Sequence, residues 1–415
     1  MTSAKPALPR HIELDALRGF AVMGILLMNI IGFALLEMAY VNPAVYGMSN
    51  NADTISWFLS FVLVDGKMRG LFTLLFGASM MLIIARAEAK GENAAKVHFT
   101  RMGWLALFGL AHFFLVWFGD ILFLYAVIGC LAWFVADWDS DELIRKALLI
   151  YAMGFIAYLL FMGGMFYLEY LAEMAGPGSE SDADYRDMLS EIAPGAAVTA
   201  EEIAKYQGSY FQILTDKLTN KWDGPLILLV MNGLETLPLM MLGMAFYKNG
   251  FMTGQWDAAR YRSFGLRLVG WGLLLMLPLA WLVWASGFDP LIAINASLAW
   301  SIPSRMLLTL GFAALLILLI QKLAHHSILQ RIAAAGRVAF TNYLGTSILM
   351  TFIFYGWGLG LFGQFGRAEL YLFVLGTWIV MLLWSQPWLS HFRYGPLEWL
   401  WRSLARGQMQ KMRVE

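Results

Sequence analysis

Gly109-Leu-Ala-His-Phe-Phe-Leu-Val-Trp-Phe-Gly-Asp-Ile-Leu-Phe-Leu-Tyr125 is an almost unbroken apolar run carrying one histidine, His112, and a Gly119-Asp120 break. Hydrocarbon holds no water to solvate a polar group, so only helices and closed barrels cross it. A titratable side chain at such depth is costly and is a functional candidate by default. The run therefore predicts two membrane helices meeting near Asp120, with His112 inside the first.

The remaining chain supports that reading. Its 415 residues are 60% hydrophobic and 14% charged, against about 45–50% apolar and about 25% charged for a soluble domain. The fold class expected is all-α, a single polytopic transmembrane helix bundle. Ten apolar runs have roughly spanning length: 16–36, 68–86, 102–119, 121–136, 147–171, 225–247, 265–286, 304–321, 338–356 and 369–390. The first is read as an uncleaved helix, because no clear A-x-A cleavage site follows it. Residues 55–64 are apolar but short, and suit a re-entrant or interfacial helix leading into the second span.

Charge sets the orientation. With ten spans, most of the 29 Lys and Arg residues fall on the side of the N-terminus. Lys5, Arg10, Arg18, Arg86, Arg101, Arg337, Arg393, Arg402 and Arg406 are among them. The positive-inside rule makes that side cytoplasmic, with both termini on it. The connection 173–223 then lies outside. It is acidic and turn-rich, with a helix expected around 200–218, and is read as a cap over the external face. A net charge of zero removes a whole-chain argument for nucleic acid. The single cysteine, Cys130, excludes a disulfide or CxxC zinc framework within one chain. The partners expected are the lipid bilayer, a small-molecule or cell-envelope acceptor and, as an option, a second copy in a homodimer; no bound metal or permanent cofactor is expected.

Candidate site residues follow from depth. His112 lies about ten residues into the expected third span, roughly 15 Å at 1.5 Å per residue. A neutral imidazole there serves either as a packing hydrogen-bond partner or as a general base. Asp120 falls about 12 Å further along an ideal helix, too far to orient His112 directly. It either caps the fourth span or lines an external mouth. Asn29, Asn232 and Glu235 sit at similar depth in the first and sixth spans and suggest one shared cavity. Asp65-Gly-Lys67-Met-Arg69 would enter the second span from outside, and Arg305 follows Ser301-Ile-Pro-Ser304. These external cations break the charge trend. Either they snorkel or a carboxylate, lipid head group or acceptor holds them. On the cytoplasmic side Arg18, Arg101 and Arg337 are interfacial anchors, or contacts to a phosphate-bearing donor. No Walker A, Rossmann, HExxH or G-x-S-x-G motif stands in a suitable context.

Several stretches resemble the YeiB-like family of bacterial inner-membrane proteins. They are Leu14-Asp-Ala-Leu-Arg-Gly-Phe-Ala-Val-Met-Gly-Ile-Leu-Leu-Met-Asn29, Asp65-Gly-Lys-Met-Arg-Gly-Leu-Phe-Thr-Leu-Leu-Phe-Gly77, and His112 with Gly119-Asp-Ile-Leu122. Gly336-Arg-Val-Ala-Phe-Thr-Asn-Tyr343 and Phe392-Arg-Tyr-Gly-Pro-Leu-Glu-Trp-Leu-Trp-Arg402 complete the set. The first motif is also similar to the opening of a wider group of membrane acyltransferases, which includes heparan-α-glucosaminide N-acetyltransferase. That resemblance implies an acyl group moved from cytoplasmic acyl-CoA to an acceptor across the membrane, with acyl-CoA as co-substrate. Asn29 matches an active-site asparagine of that group. The group's histidine follows its first span, whereas this chain has none between Glu37 and Val97, so His112 would serve from the third. The rival expectation is a proton-coupled transporter or flippase relaying protons through His112 and Glu235, and the third is a scaffold without chemistry.

Overall fold

The computed structural model describes residues 11–414; Lys5 and Arg10 fall outside them. Among the described residues the chain is helical throughout, with a single isolated bridge between Phe392 and Arg413. The central element is α1 (Ile12–Ala34), whose small and aliphatic side chains are buried along most of its length. There follow α2 (Asn51–Leu63), α3 (Lys67–Ala89), α4 (Ala94–Leu115), α5 (Leu122–Trp133) and the 36-residue α6 (Ser140–Ala175). The 173–223 connection folds as α7 (Glu180–Ile192), α8 (Ala196–Tyr206) and α9 (Tyr210–Asn220). Beyond it run α10 (Gly224–Lys248), α11 (Ala258–Ala285), α12 (Pro290–Asn295), a π-helical turn at Ala296–Trp300 and α13 (Ile302–Lys322). The chain ends with α14 (Ser327–Arg337), α15 (Ala339–Phe354), α16 (Arg367–His391) and α17 (Pro396–Arg406).

Each of the ten expected runs coincides with a helix, but among the described residues seven segments are long and apolar enough to cross a membrane. The three that fall short are α4, α5 and α15. Lys96 and Arg101 lie in the first half of α4, and α5 and α15 have 12 and 16 residues. Twelve residues rise only about 18 Å against a hydrocarbon core of roughly 30 Å. They pack against their neighbours, α4 against α3 and α5, α5 against α10, and α15 against α1, while α1 also contacts α3, α13, α14 and α16.

Two boundaries differ from expectation with consequences for the site. The helix expected over 200–218 is broken at Gln207-Gly208-Ser209, where Ser209 and Gln212 form a capping box that starts α9. The short apolar stretch before Asp65 is a full helix, α2, and forms with α3 one bent segment, Asn51–Ala89. Asp53 near the start of α2 accepts the Ala368 amide at the start of α16 with 2.9 Å. Asp65 to Arg69 is therefore the elbow of a broken helix rather than an entry point at the surface. Arg69 stands about 25 Å along α3 from Arg86, at 1.5 Å per residue.

Both described ends of the chain meet at one end of the bundle, where His11, Arg393 and Arg402 line a common cavity. The α7–α9 segment covers part of the other end, reaching Glu37, Phe362 and the end of α4.

Candidate functional site

The histidine and the aspartate meet because α4 stops. Its last helical residue is Leu115, which places His112 in the final turn rather than at a helix centre. Residues 116–121 turn back, and α5 begins at Leu122. His112 Nδ1 lies 2.8 Å from Asp120 Oδ1, with both side chains buried. The other carboxylate oxygen accepts the Phe123 amide at 2.9 Å in the first turn of α5. Asp120 therefore caps α5 and holds the imidazole at once; the expected separation assumed a continuous helix that the chain does not form. The close approach of α4 and α5 depends on Gly109, where a Cβ would lie 2.3 Å from Phe123 N and 2.9 Å from Asp120 Oδ2.

With Nδ1–H facing the carboxylate, the lone pair of the neutral ring is on Nε2. That atom is buried and has no hydrogen-bond partner among the described residues. The ring packs beside Tyr343 and Trp117 at centroid distances of 5.4 and 6.4 Å. Trp117 is fixed by its indole N–H to Gly32 O on α1.

The cap segment braces this turn. Tyr210 Oη donates to Leu115 O and Lys217 Nζ to Val116 O, both at 2.9 Å. These are carbonyls that a helix end leaves without an internal partner. Burial, helped by the Lys221 charge, holds the Lys217 ammonium down to about 8.

Tyr343 also lines a cavity of about 400 Å³. Its deep wall is Phe72, Phe76, Ile121, Leu122, Tyr125 and Tyr343; its mouth is Arg18, Arg86, Arg101, Arg337, Arg393 and Arg402. A second chamber of about 640 Å³ shares Arg86, Arg101, Tyr394 and Arg402 with it and adds Lys90, Lys96 and Arg406. Arg18 is held by Ser79 at 2.8 Å and by Asp15 at 3.5 Å. Arg101 stacks over the Trp401 ring at 4.2 Å, and its Nε is buried without a partner. The α17 helix forms one wall through Glu398, Trp401 and Arg402. Glu398 anchors it by accepting the Phe340 and Thr341 amides at the start of α15, and burial raises its carboxyl above the ordinary value.

The three expected donor contacts, Arg18, Arg101 and Arg337, thus share one cavity. The other expected residues divide differently. Glu235 does not face His112. It pairs with Arg69 at 2.5 Å and Arg305 at 3.5 Å through the same oxygen, and Tyr151 approaches the other at 3.5 Å. Lys67 is wholly buried and donates to Phe61 O at 2.6 Å. Asp65, 7% exposed, precedes it in the elbow. The cations that broke the charge trend are therefore interior groups facing an interior carboxylate, not residues of an external mouth. Asn29 is half-buried on α1, and no hydrogen bond or ion pair among the described residues joins it to His112 or Glu235. Asn232 bonds Leu228 O one turn back on its own helix.

Sequence reading missed Tyr343, Tyr125, Trp401 and Glu398 as site residues. His98 is 2% exposed, bonds Gly129 O and lines the cavity. The available signals were the resemblance stretches 336–343 and 392–402, whose residues come together around this cavity.

These features define a polytopic helical membrane protein with a buried His–Asp pair and an arginine-lined cavity, joined by the Tyr343 ring. The chain belongs to the YeiB family. It is 32% identical to "Uncharacterized protein YeiB" of Escherichia coli strain K12, over 95% of this chain and 96% of the relative. It is 30% identical to "Uncharacterized protein YxaH" of Bacillus subtilis strain 168, over 97% and 96%. A family model described as a protein of unknown function, DUF418, matches residues 246–408. No solved structure matches this chain.

Proposed function

We propose that the protein is a membrane-embedded acyltransferase of the bacterial inner membrane, taking an acyl group from cytoplasmic acyl-CoA and passing it to an acceptor at the far side. The observation that carries the reading is the His112 ring. Asp120 fixes it on Nδ1, its Nε2 is free, and it stands against Tyr343, which lines the cavity.

The cavity chemistry suits a thioester of coenzyme A. Ligand sites run to roughly 300–1,000 Å³, and the two joined chambers offer an apolar throat and a polar, cationic vestibule. Arginines bind phosphate oxygens through paired donors. Arg18, Arg101, Arg337 and Arg402 would hold the diphosphate, leaving the acyl end among Phe72, Tyr125 and Tyr343. In the transfer, His112 Nε2 takes the proton from an acceptor hydroxyl or amine as its heteroatom bonds to the thioester carbonyl carbon. Collapse of the tetrahedral adduct breaks the C–S bond, and the imidazolium returns the proton to the departing thiolate. Asp120 stabilises the imidazolium. Tyr343, whose ring packs beside His112 and lines the cavity, offers a phenol to the developing oxyanion.

The test is purified protein in lipid nanodiscs with labelled acetyl-CoA and cell-envelope extracts. Thioester consumption that depends on acceptor and is lost in His112→Ala supports the proposal. Unchanged turnover in that variant would end the assignment of His112 as the base, and proton-coupled uptake without thioester consumption in proteoliposomes would transfer the case to the transporter.

A further inference from the structure

The cluster around Glu235 plays no part in the transfer just described. Two guanidinium groups share one of its oxygens: Arg69 Nη2 at 2.5 Å and Arg305 Nη2 at 3.5 Å. The side chains of Glu235 and Arg305 are 6% and 8% exposed, whereas that of Arg69 is 22% exposed. Arg305 Nε is buried with no hydrogen-bond partner among the described residues. Two guanidiniums against one carboxylate leave a formal excess of one positive charge, and Lys67, in the same elbow, donates to Phe61 O. Desolvating an ion costs several kcal/mol unless a counter-charge answers it, and charged side chains inside a membrane protein mark ligand paths.

The geometry holding this excess is built in. Gly66 adopts φ +73° at the elbow, and a Cβ there would lie 2.1 Å from Arg305 Cδ. The turn therefore seats directly on the arginine stem. Tyr125 Oη donates to Arg69 O at 3.3 Å, and Tyr125 lines the arginine cavity. Tyr125 thus touches both the Arg69 backbone and the arginine cavity.

We propose that Arg69 and Arg305 form a second binding site, for the singly charged phosphodiester of a molecule approaching the His112–Asp120 pair. A monoanion matches the formal excess. Two non-bridging oxygens give one acceptor to each guanidinium, and the orphaned Arg305 Nε supplies a further donor. Glu235 competes for the same donors and so keeps the site from holding its ligand tightly. Only the identification of that molecule as the acyl acceptor rests on the function proposed above.

The experiment measures binding without acyl-CoA. Full-length protein in phosphatidylcholine nanodiscs is titrated with either phosphatidylglycerol doped into the disc or soluble bis(glycerol) phosphate. Acetate is the control, and the thermal-unfolding midpoint is the readout. Arg69→Gln and Arg305→Gln are expected to weaken phosphodiester binding at least tenfold, and Arg69→Lys to weaken it less. Glu235→Gln is expected to tighten it at least threefold, a sign that general damage to the fold does not produce. A response to phosphatidylglycerol alone identifies a lipid ligand, and a response to the soluble diester identifies a soluble one; both support the site. Equal affinity across wild type, Arg69→Gln and Glu235→Gln overturns it, as does an equal response to acetate. Should the arginine variants not fold, unchanged or weaker binding by Glu235→Gln overturns it alone. Because no thioester is present, absence of acyl transfer leaves this result standing, and loss of phosphodiester binding leaves any thioester turnover standing.

Discussion

Asp120 Oδ1 lies 2.8 Å from His112 Nδ1 although the two residues would stand about 12 Å apart on one ideal helix. The contact exists because α4 ends at Leu115 and the chain re-enters at Leu122. The pair is thus a product of a helix break. Asp120→Asn keeps the side-chain volume but removes the charge that stabilises an imidazolium. Acceptor-dependent thioester turnover is expected to fall by about 10²–10⁴-fold, the usual worth of general base catalysis, with little change in KM for acyl-CoA. Steady-state kinetics in nanodiscs checks this, and a pure KM effect would remove Asp120 from the chemistry.

Gly109 makes the re-entry possible. A side chain there meets the Phe123 backbone, which has no flexible end to move aside. Gly109→Val is expected to destabilise the protein by about 1–3 kcal/mol, as overpacking does. It should also displace Asp120 from His112. The thermal midpoint and turnover should fall together, whereas Gly103→Val, where a Cβ meets nothing within 4 Å, should leave both near wild type.

The arginine mouth predicts a binding defect rather than a rate defect. Arg402→Ala and Arg18→Ala are each expected to raise KM for acyl-CoA about tenfold or more. Hydrogen bonds to charged groups are worth about 1.5–3 kcal/mol. With saturating thioester, kcat should hold. Arg101→Lys keeps the charge but loses the flat stack on Trp401, so its KM should fall between wild type and Arg101→Ala.

Lys217 ties the cap to the helix break, and its ammonium titrates near 8 rather than at the ordinary 10.5. Between those values the undocked lysine binds more protons than the docked one, so docking strengthens as pH rises from about 8 to about 10.5. Below 8 both forms are charged and this group adds no pH dependence. Limited proteolysis of the α7–α9 segment should therefore slow across that window, after correction for protease activity. In Lys217→Met the slope should flatten; an unchanged slope would assign the effect to another group.

Composition and the run lengths were enough to make this an all-helical membrane protein, because hydrocarbon leaves the backbone few other solutions. Charge segregation likewise gathered Arg18, Arg101 and Arg337 at one end, where the structure brings them around one cavity. His112 was legible as a costly side chain in an apolar run. What tertiary structure alone decided is who faces whom. Whether residues 109–125 run on or fold back depends on Gly109 against Phe123, on Trp117 reaching Gly32 O, and on Tyr210 and Lys217 taking the freed carbonyls. None of those partners lies within one helical turn of the histidine. Lys67 and Arg69 were misplaced at a surface for the same reason: their partners, Phe61 O and Glu235, become visible only once α2 is known to run into the elbow. Periodicity and hydropathy report what a segment must bury, and only the packed neighbours settle which polar atoms are satisfied and which, like His112 Nε2 and Arg305 Nε, stay free.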